Sequence, residues 1–149
     1  CIGGYVAGSK EVINFIRHKA RSFIFSASMP PSAVATVIAA LDVMQAEPER
    51  REQLWRNAKI MHEGLRSLGF DIGDTQTPVV PIMVGDDMKA FTFWRALFDA
   101  GIFANVAVSP AVPPDTARIR TSFTAAHTED QLTHVLETFE KIGRQLGVI

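Results

Sequence analysis

The stretch ARIRTSFTAAHTEDQL, residues 117–132, constrains the fold more than any other part of the chain. Its first half alternates. Ile119 points to one side and Arg118 and Arg120 to the other, as successive side chains do on a β-strand. Its second half begins a helix: Thr128 and Gln131 form a T-x-x-Q capping box, each side chain bonding the other's backbone N–H. A strand that is apolar on one face and runs into a capped helix belongs to a sheet covered by helices on one side.

The rest of the second half follows suit. TPVVPIMVG reads as a strand, and Pro78 and Pro81 within it argue for an edge position. Asp86 or Asp87 caps a helix running to residue 100, with Phe91, Trp94, Leu97 and Phe98 facing inward and Gly101 closing it. IFANVAVSPAVPP is a strand followed by a proline-rich loop. The last helix carries Leu132, Val135, Leu136, Phe139, Ile142 and Leu146 on one face. Strand, helix, strand, strand, helix is the order of a small α/β domain of the α+β kind.

The first half is helical by comparison and lacks the strands to close a sheet of its own. A short strand is expected at residues 5–7, and Ser9 is placed to cap a helix through Lys19. A second short strand, 23–25, leads into a loop of small residues. Pro30 and Pro31 suit the first turn of a helix at 32–45. That helix is apolar on nearly every face, so burial is expected. After the charged break AEPERREQ, a helix over 49–68 aligns Leu54, Ala58, Met61, Leu65 and Leu68, with Gly69 at its C′ position.

Composition bounds the function. The 149 residues are 47% apolar, enough for a real core, and the formal net charge is −1. No global charge favours nucleic acid, and no apolar run suits an integral membrane segment. Cys1 is the only cysteine, so no intrachain disulfide can form and a reducing cytoplasm is expected. The chain has no initiator methionine and is expected to be a piece of a longer protein.

Two stretches could hold an anion. Arg118 and Arg120 offer planar guanidinium forks suited to a carboxylate or phosphate. Most exposed arginines hold only water, so residue types alone leave both readings open. In FSASMPP, the hydroxyls of Ser26 and Ser28 precede a helix start, where phosphates commonly bind, though a capping role is the commoner one. Pro30 and Pro31 carry no N–H, so a phosphate contact would lean on residues 26–28. His18, His62, His127 and His134 are scattered, which argues against a metal site. His127 abuts the capping box and reads as support for its loop. There is no G-x-S-x-G elbow and no Cys/His nucleophile set, and Lys10 and Lys19 read as solvated.

Taken in order, IGGYVAG, RSFIFSASMPPS and ARIRTSFTAAHTEDQL, the last continuing to IGRQLGVI, resemble the C-terminal portion of the α-oxoamine synthases across essentially the whole chain. These are pyridoxal-phosphate enzymes of the aspartate-aminotransferase fold type. The resemblance implies a small, mostly antiparallel sheet with helices packed on one face, preceded by remnants of the large domain. It divides the chain into 1–48, a cofactor-domain remnant with its connecting helix, and 49–149, the small domain.

Members of the group condense an amino acid with an acyl-CoA, lose CO₂ and release an α-amino ketone. By resemblance, Arg120 matches the arginine that binds the substrate carboxylate. Ser26 and Ala27 match positions that reach the cofactor phosphate of the neighbouring subunit in a homodimer. Some relatives carry Asn where this chain has Ala27, which leaves Ser26 and backbone groups for that contact. GGYVAG matches the segment just after the lysine that binds pyridoxal 5'-phosphate (PLP). That lysine, the aspartate on the pyridine nitrogen and the histidine stacked on the ring are all placed upstream. The resemblance therefore puts no catalytic residue in this chain, which is expected to be inactive alone. A stand-alone, non-catalytic binding or assembly module is the alternative. An aminotransferase of the same fold is a weaker one.

Overall fold

The computed structural model describes residues 2–149. The chain divides into two compact units, the first ending at Pro48 and the second comprising Glu49–Ile149.

The described residues of the first unit form three helices. In α1 (Lys10–Lys19), the Ser9 side chain accepts from the Val12 N–H, capping as expected. Residues 5–7 form no strand. The apolar run 23–25 is not a strand either: it falls in and just after the single turn α2 (Arg21–Ile24), where the Ile24 N–H donates to the Ala20 carbonyl at 3.0 Å. Both departures have one cause. A strand needs ladder partners for its backbone groups, and the described residues of this unit contain no other strand. Helix formation satisfies the groups of 21–25 locally instead.

Helix α3 (Pro31–Ala46) starts at the proline pair, with Pro30 as its N-cap. Its expected burial does not occur: none of its residues is buried, and Ile38 is 56% exposed. An apolar helix needs cover on every side. Among the described residues of the unit, the ten-residue α1 and one-turn α2 are the only other helices.

The second unit contains α4 (Pro48–Leu68), β1 (Val79–Gly85), α5 (Asp87–Asp99), β2 (Asn105–Ala107), β3 (Ala117–Ser122) and α6 (Glu129–Gln145). The strands form an antiparallel sheet in the order β1-β3-β2, so β3 is central. Ile119 pairs with Ile82 on one side and Val106 on the other. β1 is an edge strand, as Pro81 within it argues. The Met83 N–H donates to the Asp71 carbonyl at 2.8 Å, away from β3. Pro81, two residues earlier, has its nitrogen on that same outer side, so its missing N–H costs the β3 ladder nothing.

Val80, Ile82 and Ile119 meet Met61 and Leu65 of α4, Phe93 and Leu97 of α5, and Leu132, Phe139 and Ile142 of α6 in one core. Phe70, Phe93 and Phe139 form a ring cluster with centroids 5.6–6.2 Å apart. On α4 the expected stripe is buried at Ala58, Met61 and Leu65, and Gly69 has the expected positive φ of 99°. On α5 the expectation holds for Leu97, which is buried, and for Trp94, which packs half-buried against the core, but not for the other two aromatic residues. Ala90, Phe93 and Leu97 are buried, whereas Phe91 and Phe98 are 42% and 48% exposed. Phe91 and Phe98 each follow a buried residue, and one residue turns a helix by about 100°.

Candidate functional site: an arginine on the open sheet face

All three helices lie on one side of the sheet, so its other face is open. Arg118 and Arg120 project from the central strand onto that open face. Arg120 stands opposite Pro81 on β1 and Asn105 on β2. None of the three strands contains an acidic residue. The face is therefore cationic with no compensating carboxylate of its own, a setting that attracts an anion.

The two arginines differ in engagement. Arg118 is half-buried, and its Nε donates to the Thr116 carbonyl at 3.0 Å. Arg120 is exposed and has no hydrogen bond or ion pair among the described residues. Its five N–H donors remain available for a ligand. Rigid mounting comes from the strand: the buried Thr121 hydroxyl donates to the Val80 carbonyl at 2.9 Å, and the Phe123 N–H donates to the Pro78 carbonyl at 3.1 Å.

Beyond Ser122 the chain turns through residues 124–127 into α6. The Thr128 capping box is present with both reciprocal bonds. His127 supports this turn, as its position suggests. Its Nδ1 accepts from the Thr124 N–H at 3.1 Å. A groove of about 680 Å³ lies alongside, lined by Phe103, Ser122, Thr124, His127 and Gln131 among others.

Asn57 is the residue that sequence reasoning missed. It is fully buried on α4, and its Nδ2 donates to the carbonyls of Thr124 at 2.9 Å and His127 at 3.0 Å. Its Oδ1 accepts from Gln53 Nε2 at 2.8 Å. The only sequence signal was a polar residue beside Ala58 inside an apolar stripe.

Ser26 and Ala27 belong to the first unit, in the loop between α2 and α3, and both are exposed. The Ser26 hydroxyl donates back to the Ser22 carbonyl. Among the described residues the N–H groups of Ala27, Ser28 and Met29 have no intramolecular partner. This loop thus offers free donors suited to the phosphate end of a cofactor. The lysines lie elsewhere on the surface: Lys59 pairs with Glu63, Lys89 bonds the Gly147 carbonyl, and Lys10, Lys19 and Lys141 are exposed.

A small antiparallel sheet with helices on one face and arginines on the other is the C-terminal part of the aspartate-aminotransferase-type PLP fold. Residues 1–139 match the family described as aminotransferase class I and II, and the chain belongs to that family. It is 46% identical over 148 residues to 8-amino-7-oxononanoate synthase of Thermoanaerobacter pseudethanolicus, covering 99% of this chain and 38% of that protein. It is 47% identical over 138 residues to serine palmitoyltransferase of Bacteriovorax stolpii, covering 93% and 33%. Among solved structures, a serine palmitoyltransferase variant from S. paucimobilis with a bound PLP–myriocin aldimine superposes with a TM-score of 0.81 at 40% identity, covering 91% of this chain and 35% of that one. These relatives are α-oxoamine synthases, in keeping with the resemblance read from the sequence. The chain spans about 38% of the length of the curated synthases it matches.

Proposed function

We propose that this chain supplies the substrate-carboxylate site of a PLP-dependent acyltransferase. The enzyme condenses an amino acid with an acyl-CoA and releases an α-amino ketone, CO₂ and CoA. The observation that carries the reading is Arg120: a rigidly mounted, unpartnered guanidinium on an open sheet face without acidic residues.

The guanidinium fork accepts a carboxylate through two parallel N–H···O bonds, which fixes the plane of that group as well as its position. The direction of the bond between the carboxylate and Cα is set by this grip, and orientation of the bond to be broken is the chain's contribution to decarboxylation. Lysine would hold the charge without fixing the plane. PLP, when bound, supplies the electron sink that stabilises negative charge at Cα. Ser26 and the backbone N–H of Ala27 hold its phosphate, and in a homodimer that phosphate belongs to the neighbouring subunit. The hydroxyl of Ser26 serves only after turning from the Ser22 carbonyl. The lysine that anchors the cofactor is not among the residues of this chain, so the chain alone is inactive. The enzyme works in the cytoplasm. No helix among the described residues is long and apolar enough to cross a membrane.

The protein encoded by the open reading frame that contains these residues tests the proposal. Given PLP, an amino acid and an acyl-CoA, it should release CoA and CO₂ in equal amounts. Formation of an α-keto acid from the amino acid, with no CoA released, would mark amino transfer and overturn the reading. An in-frame start codon directly before Cys1 would overturn it in favour of a stand-alone module.

A further inference from the structure

Asn57 is the most deeply buried polar side chain in the second unit, fully enclosed where its neighbours Ala58 and Met61 are apolar. An amide in such a place costs stability unless each of its groups is bonded. Here they are, and the bonds have a direction. Both Nδ2 donations go to one loop, to carbonyls three residues apart at Thr124 and His127. That loop follows β3 where its support becomes one-sided. β2 pairs with β3 only as far as Arg120, so Thr121 and Ser122 have a strand neighbour on the β1 side alone. The Asn57 bridge and the Thr124 N–H to His127 Nδ1 bond close the loop on itself.

We propose that Asn57 is a positioning residue for the carboxylate site: by strapping residues 124–127 to α4, it fixes the end of β3 and thereby the aim of Arg120. The proposal rests on the reading of Arg120 given above. Asn57 touches no substrate. It holds the backbone just beyond Arg120, where β3 has lost its β2 neighbour and keeps only β1.

A double-mutant cycle in the complete enzyme tests this, with the amino-acid and acyl-CoA KM values measured for each variant. Asn57→Ala should raise the amino-acid KM by about 5- to 30-fold, the factor that one or two lost buried bonds represent. The acyl-CoA KM should hold. In the Arg120→Ala background, Asn57→Ala should add nothing. Met61→Ala, one turn along α4 and equally buried, is the structural control: it should lower the melting temperature without moving the amino-acid KM.

If Asn57→Ala keeps its full effect without Arg120, the positioning role is wrong while Arg120 keeps its own. If Arg120→Ala leaves the amino-acid KM unchanged, the carboxylate reading itself fails. Should Asn57→Ala not fold, hydrogen exchange in the unaltered enzyme decides. The Thr124 and Ala126 amides must be protected before substrate is added, and exchange at unstructured rates would overturn the proposal.

Discussion

Arg118 and Arg120 stand two residues apart on the same face of the same strand, and only one of them is engaged. Arg118 donates to the Thr116 carbonyl at 3.0 Å, while Arg120 extends from the sheet without a partner. A single strand thus carries one arginine tied to its own backbone and one left free. Replacing Arg118 by Ala should therefore act on stability, by about 1 kcal/mol for one hydrogen bond, with amino-acid kinetics little changed. Urea unfolding and steady-state kinetics on the same variant would show the split.

The turn that follows β3 depends on its cap. Thr128 accepts from the Gln131 N–H, and Gln131 accepts from the Thr128 N–H at 3.0 Å. Thr128→Ala should cost about 0.5–2 kcal/mol, the usual range for a lost N-cap. Thermal unfolding measures it, and Thr128→Ser should restore most of the loss.

Two helix glycines mark close approaches of unequal hardness. A Cβ on Gly143 would lie 2.6 Å from Phe70 Cζ, in a ring locked against Phe93 and Phe139. A Cβ on Gly64 would lie 2.6 Å from Leu136 Cδ1, the free end of a half-buried side chain. Gly143→Ala should destabilise by about 1–3 kcal/mol, as overpacking does. At Gly64 the rotation of Leu136 and the better helix propensity of Ala, about 1 kcal/mol, should leave the unfolding midpoint nearly unchanged.

The first unit presents its apolar residues to the surface. Phe25 is 82% exposed, and Ile38 and Met44 are 56% and 52% exposed. Contiguous apolar surface of this kind associates in water. The 149-residue polypeptide on its own should bind a hydrophobic dye and sediment faster than a monomer. Ile38→Glu with Met44→Glu should reduce both signals.

The junction at residues 117–132 was fully legible in the sequence, because alternation and capping are local properties: Ile119 is buried, Arg120 is exposed and both cap bonds form. The edge position of β1 was legible for the same reason, in Pro81. What could not be read depended on distant partners. The run 23–25 has the side chains of a strand but no neighbour to pair with, so it coils. The apolar helix α3 announced a need for cover, which is a different property from having it. On α5 Leu97 and Trp94 were legible, but Phe91 and Phe98 read as inward because aromatic residues surround that helix, and Ala90 and Phe93 take those places. Asn57 was invisible because its partners lie 67 and 70 residues away. That the two arginines differ was implied by the family pattern, and the structure shows the difference in engagement: Arg118 bonds the Thr116 carbonyl and Arg120 is exposed.

Arg120 kinetics bear most directly on the carboxylate site. The amino-acid KM is measured for the unaltered enzyme, Arg120→Lys and Arg120→Ala at saturating acyl-CoA. Loss of a charge-assisted pair worth about 1.5–3 kcal/mol should raise it by roughly 10- to 100-fold in Arg120→Ala. Arg120→Lys should recover only part of the loss, and the acyl-CoA KM should stay constant. An Arg120→Ala enzyme with an unchanged amino-acid KM would show that the carboxylate is held elsewhere.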